Sequence, residues 1–150
     1  MYSIRTPEAP TLASTLPRLQ RWLAECVNTH KCCASTEEAL LPTRVIDVGS
    51  EHIEPKLYVS QPQERAAYCA LTHCWGPNNS SAPRFVTTRD NIEQHYIQIA
   101  FESLPKTFRE AVEVVRALGI RYLWIDSLCI IQGDAADWAH EAALMVCPTQ

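Results

Sequence analysis

The sequence predicts an α/β fold: a mainly parallel sheet with flanking helices and an N-terminal helical arm. Three observations carry this reading. Residues 119–132 run G-I-R-Y-L-W-I-D-S-L-C-I-I-Q. Within them Tyr122, Leu123, Trp124 and Ile125 are apolar on both faces, which suits a strand covered on both sides. Residues 105–118, just before, read as an amphipathic helix, and residues 68–75, Y-C-A-L-T-H-C-W, as a second strong strand. Strand, helices, strand implies a right-handed crossover and parallel pairing.

The totals fit one domain with a short arm. The chain has 150 residues, 47% hydrophobic and 20% charged, with ten prolines and four glycines. We expect residues 1–40 to form the arm, with one helix, and 41–150 the core. The net charge of −4 is unevenly spread: residues 1–34 hold four basic and two acidic residues, the remainder nine and fifteen. No basic run exceeds two residues, which argues against nucleic acid or an anionic membrane as principal partner. No stretch approaches the ~18 apolar residues of a membrane span, and the N-terminus lacks a signal-peptide core. Seven scattered cysteines then read as reduced thiols in a cytoplasmic protein.

In chain order, residues 1–15 are polar and proline-interrupted and read as loosely attached. A helix is expected from about 17 to 28, where Leu16, Leu19, Trp22, Leu23, Cys26 and Val27 recur at helical spacing. Residues 43–48 alternate as a strand, and 56–59 read as its hairpin partner or a short edge strand. A weakly patterned helix is expected over 88–99, capped by Thr87 or Thr88. In the helix at 105–118, Phe108, Ala111, Val112, Val115 and Leu118 form the apolar stripe, with Gly119 at the C′ position. A last helix is expected over 135–145, capped by Asp134, with Ala135, Trp138, Ala142 and Met145 along one face.

Ligands of open parallel sheets bind beyond the carboxyl ends of the strands. Two strands end in polar or unusual residues: one in His73, Cys74, Trp75 and Gly76, the other in Asp126 and Ser127. As neighbours they would line one crevice, with His73, Trp75, Gly76 and Ser127 as ligand-binding candidates. The competing reading makes Asp126 a loop cap, Trp75 core and His73 a satisfied histidine. Glu141, one turn after Trp138, is a third candidate, set against a plain surface glutamate. Cys26, His30 and Cys33 have the spacing C-x3-H-x2-C of three zinc ligands. No fourth ligand follows nearby, and cysteines packing as small hydrophobes are the stronger reading, so no metal is assigned. Cys74 and Cys129 lack the glycine-rich elbow of a nucleophile.

Three segments resemble the motifs of the fungal heterokaryon incompatibility (HET) domain: Y-C-A-L-T-H-C-W-G at 68–76, S-L-P-K-T-F-R-E-A-V-E-V-V-R-A-L-G-I-R-Y-L-W-I-D-S-L-C-I-I-Q at 103–132 and D-W-A-H-E-A-A-L-M at 137–145. W-L-x2-C-x3-H-x2-C and P-T-R-V-I-D-V at 42–48 are similar to its usual lead-in. Thr72 and His73 depart from the family's S-Y-x-W-G-type motif, and V-C-P-T-Q stands where the family continues, which implies a C-terminally incomplete core. The resemblance implies a cell-death role in non-self recognition, by self-association or with another cell-death signalling protein; the alternative is an inactive, truncated fragment. It also implies a distant likeness to TIR domains, which are flavodoxin-like, some of them hydrolysing NAD with a helix-borne glutamate. Carried over, Glu141 is the catalytic candidate, supported by Asp126, and NAD the candidate substrate; no cofactor is otherwise assigned. The Trp138-to-Glu141 spacing is one residue shorter than the W-x3-E run of those enzymes.

Overall fold

The computed structural model describes residues 11–30, 39–75 and 84–145. Its centre is a four-stranded sheet in the order β2-β1-β4-β3, built from β1 (Arg44–Asp47), β2 (Lys56–Val59), β3 (Tyr68–Leu71) and β4 (Tyr122–Ile125). The helices are α1 (Leu12–Thr29), α2 (Ile92–Ile97), α3 (Lys106–Ala117), α4 (Asp126–Cys129) and α5 (Ala135–Met145).

The sheet is mixed, which corrects the expectation of a mainly parallel one. β3 and β4 pair in parallel, Tyr68 opposite Tyr122 through Leu71 opposite Ile125. β1 is antiparallel to both β2 and β4. The link from β1 to β2 holds only residues 48–55, too short for the crossover of a dozen or more residues that parallel neighbours need, so the two close as a hairpin. The long link from β3 to β4 carries α2 and α3, and there the parallel expectation holds.

β4 is central, with Leu123 and Ile125 turned to the main core. That core joins Ile46, Val48, Leu57, Ile99 and Leu128 to Phe108, Val112 and Val115 of α3. The opposite face of the sheet holds a smaller cluster of Leu41, Val45 and Tyr122, with Tyr58, Tyr68 and Trp124 half-buried around it. Tyr58 and Tyr122 stack there at 5.5 Å.

α3 ends as its glycine predicts. Gly119 has φ +73°, its N–H reaches Arg116 O at 3.0 Å, and Ile120 N–H reaches Val115 O at 3.1 Å. These two bonds close a Schellman motif, which turns the chain straight into β4. α1 starts at Leu12, with a Thr11–Ser14 capping box, and takes Pro17 inside the helix. α2 is shorter than expected, and Thr88 is not its cap; the Thr88 carbonyl instead accepts Asn91 and Ile92 N–H groups in a turn.

Candidate functional site

β3 and β4 run in parallel, so both carboxyl ends lie at one edge of the sheet; β1 runs antiparallel to β4, so its first residue, Arg44, lies there too. His73, Trp75, Asp126, Ser127 and Arg44 therefore gather at this edge. α4 follows β4 without a gap and fixes Asp126 as its first residue. α5 then brings Asp137 and Glu141.

Asp126 is the hub of one half. Its Oδ2 accepts the Trp75 indole N–H at 2.9 Å and its Oδ1 accepts the Ser127 backbone N–H at 2.7 Å. His73 Nδ1 stands 3.6 Å from Oδ1, an ion pair when the ring is protonated. The His73 ring lies nearly parallel to Trp75 at 6.1 Å and edge-on to Phe108 of α3 at 5.0 Å. The Arg84 guanidinium sits 5.4 Å from the Trp75 centroid. The indole of Trp75, a ligand-binding candidate, thus already meets two side chains, and its N–H is committed to Asp126. Ser127 Oγ and His73 Nδ1 are buried with no hydrogen-bond partner among the described residues. Gly76 lies outside the described residues.

The other half is a buried ion cluster. Arg44 Nη2 donates to both oxygens of Asp137, at 2.6 and 2.5 Å, and approaches Glu141 Oε1 at 3.5 Å. Arg44 Nε donates to Cys129 O at 2.7 Å, which ties β1 to the end of α4. Asp137 Oδ2 also accepts the Ile131 N–H at 2.8 Å. Glu141 is only 1% exposed, so it is no surface glutamate, and the face of α5 turned to solvent carries Trp138, 61% exposed. The expected apolar stripe through Trp138 is thereby corrected. α5 turns its carboxylates inward because a guanidinium taken out of water needs acceptors and an opposite charge.

Cys129 lies between the halves. Burial pushes its thiol up to about 12, opposed by the Ile125 N–H and the Arg44 charge and reinforced by the charges of Glu141 and Asp126. A thiol so held is no nucleophile at neutral pH. Cys74 is exposed.

Arg44 and Asp137 escaped the sequence reading, though each left a signal. Arg44 is in phase with Ile46 on the alternating strand and so shares its inward face. Asp137 and Glu141, four apart on a helix, share one side. On α1, His30 caps the helix through its backbone N–H to Cys26 O at 3.2 Å. Cys33 lies outside the described residues, and among those described no three His, Cys, Asp or Glu side chains are arranged to hold a metal ion. No described helix is long and apolar enough to cross a membrane.

A separate cleft lies away from these residues. It measures about 1010 Å³ and lies at the opposite edge of the sheet, between residues 48–54 and the region joining α3 to β4. Residues 68–147, more than half of the chain, match the family model described as heterokaryon incompatibility protein (HET). No curated protein and no solved structure matches the chain.

Proposed function

The chain belongs to the heterokaryon incompatibility (HET) family, and on that premise we propose that it is a cell-death effector module of fungal non-self recognition that acts by association, without chemistry of its own in the form seen. One observation carries this reading: the carboxylate best placed by resemblance to do chemistry, Glu141, is 1% exposed and faces Arg44. Residues 1–40 serve as its arm and 41–150 as its core, and it works in the cytoplasm. The deciding test is Glu141→Gln, which keeps the shape and removes the charge. Killing in a fungal host at the wild-type level supports association; loss of killing by a folded variant overturns it.

A second reading, cleavage of the nicotinamide–ribose bond of NAD, is favoured by the presence of Asp126 and Glu141 at one sheet edge, both near enough for their charges to act on Cys129. That bond breaks through an oxocarbenium-like state, which a fixed carboxylate stabilises. Glu141 would supply the carboxylate and Asp126, whose side chain is 34% exposed, would accept a ribose hydroxyl. This chemistry requires Glu141 to part from Arg44. The long 3.5 Å contact of that pair, beside the tight Arg44–Asp137 contact, is the feature that permits it. The distant TIR- or flavodoxin-like reading of the fold rests on the parallel β3–β4 unit alone. Release of nicotinamide from NAD by the purified, self-associated chain, abolished in Glu141→Gln, would establish this second reading.

A further inference from the structure

We propose that the exposed basic–aromatic face of α1 in one copy of this chain docks into the acidic cleft of a second copy. The inference deepens the association reading and rests on it only for its consequence in killing; the contact itself is a property of the purified chain.

The cleft lies at the sheet edge away from Asp126 and Glu141. Val48, Ile53, Phe101, Ala117 and Ile120 give it an apolar lining, and Ile53 is 62% exposed there. Glu51, Glu54, Glu102 and Glu113 surround that lining. Glu102 pairs with Arg109 at 3.1 Å and Glu54 accepts the Phe101 N–H at 2.6 Å, while two arginines, Arg116 and Arg121, also line the cleft. Arg116 donates to Val48 O at 2.8 Å and to Ile53 O at 3.2 Å, and lies over the Phe101 ring. Arg121 donates to Asp47 Oδ2 at 2.7 Å. Arg116 keeps its positive charge, since its hydrogen bonds here go to neutral carbonyls, and the charges of Glu54, Glu113 and Glu51 act on it from a distance. Four carboxylates against two guanidinium groups leave the lining net negative around an apolar floor, and a cationic surface with an apolar anchor fits it.

α1 presents such a surface. None of its residues is buried. Leu12, Leu16, Leu19 and Leu23 form one half-buried side, and α1 packs against α3. On a different side Trp22 is 54% exposed, with Arg18 one turn before it and Arg21 adjacent, both exposed. Glu25 shares that side and leaves it with one net positive charge. An exposed tryptophan flanked by arginines has the composition of an interface anchor. The chain cannot satisfy it from its own cleft. Leu12 already lines the cleft, and Trp22 lies ten residues further along the helix, about 15 Å at 1.5 Å per residue. A second copy removes this constraint, and the arrangement proposed is the reciprocal one, in which each copy's α1 enters the other's cleft and the pair closes as a dimer.

The test is the mass of the whole purified chain by analytical ultracentrifugation over a concentration and salt series, with far-UV circular dichroism to check each variant's fold. Wild type is expected to reach twice the monomer mass at high concentration, and added salt is expected to reverse this. Trp22→Glu, Arg18→Glu/Arg21→Glu and Glu51→Lys/Glu113→Lys are each expected to stay monomeric while folded. Mixing the last two double variants restores both charge pairings, so the mixture is expected to recover the dimer. A wild-type chain that stays monomeric overturns the proposal. So does a dimer that Trp22→Glu leaves intact, or a mixture of the two folded double variants that does not pair. An intact dimer in these variants would leave the association reading standing with another surface, whereas loss of killing in Glu141→Gln strikes that reading and leaves the contact untouched.

Discussion

Arg44, the first residue of β1, and Asp137, in the first turn of α5, face each other 93 positions apart in sequence, with Arg44 Nη2 held between both carboxylate oxygens. Their side chains are only 8% and 13% exposed, so the pair locks α5 to the sheet in a setting that water hardly screens. Arg44→Met leaves two carboxylates buried without a positive charge. We expect it to destabilise the fold by about 3–5 kcal/mol in urea denaturation, the cost of breaking a buried pair from one side. Adding Asp137→Asn and Glu141→Gln to Arg44→Met is expected to recover part of that loss, because the uncompensated charges go with them. A triple variant no more stable than Arg44→Met would show that the loss is one of packing.

Trp75 and Asp126 join the loop after β3 to the start of α4. Trp75→Phe keeps most of the ring and removes the N–H donor. With Asp126 partly open to water, we expect a loss of about 1 kcal/mol. Asp126→Asn in the Trp75→Phe background is expected to cost less than in wild type, and a double-mutant cycle measures that coupling.

Stability is expected to fall with mild acid, through His95. Its ring is buried, Nδ1 is 2.8 Å from Thr87 Oγ1, and burial lowers its pKa from the usual imidazole value. The folded pKa is the lower one, so below about pH 6.5 the unfolded chain binds a proton that the folded chain refuses. The contribution is complete above that pH and is lost as pH falls through the folded value. The urea midpoint is expected to drop between pH 7.5 and 5.5, both values chosen to bracket the imidazole pKa of about 6.5. His95→Gln is expected to flatten the drop; an unchanged slope would assign it to other groups.

The two thiols near the site differ in reactivity. Cys129 is fully buried and its thiol is pushed up to about 12, whereas Cys74 is exposed. Iodoacetamide on the native chain at pH 8 is expected to label Cys74, which reagent can reach, and spare Cys129, with both labelled in urea, as read by peptide mass spectrometry. Native labelling of Cys129 would mean that the Arg44–Cys129 contact opens readily.

The helix α3, the Gly119 stop and the strand β4 were legible in the sequence because each is a local pattern: an apolar stripe at helical spacing, a residue that accepts positive φ, and a short run apolar on both faces. The β3–β4 parallel pair followed from the helices carried by the link that joins them, and the family motifs lie in these same segments. What α5 buries was not legible. Periodicity put Trp138 inward, yet that face is chosen by Arg44, almost a hundred residues away, whose buried charge draws in Asp137 and Glu141 and leaves Trp138 in solvent. The direction of β1 against β4 was likewise undetermined, because alternation marks a strand's two faces but not its neighbours. By itself the sequence determined the local elements and the family. Only the tertiary structure decided the mixed sheet, the pairing of Trp75 with Asp126 and the closed state of Glu141, because each depends on which distant groups share one edge and on how their charges are satisfied away from water.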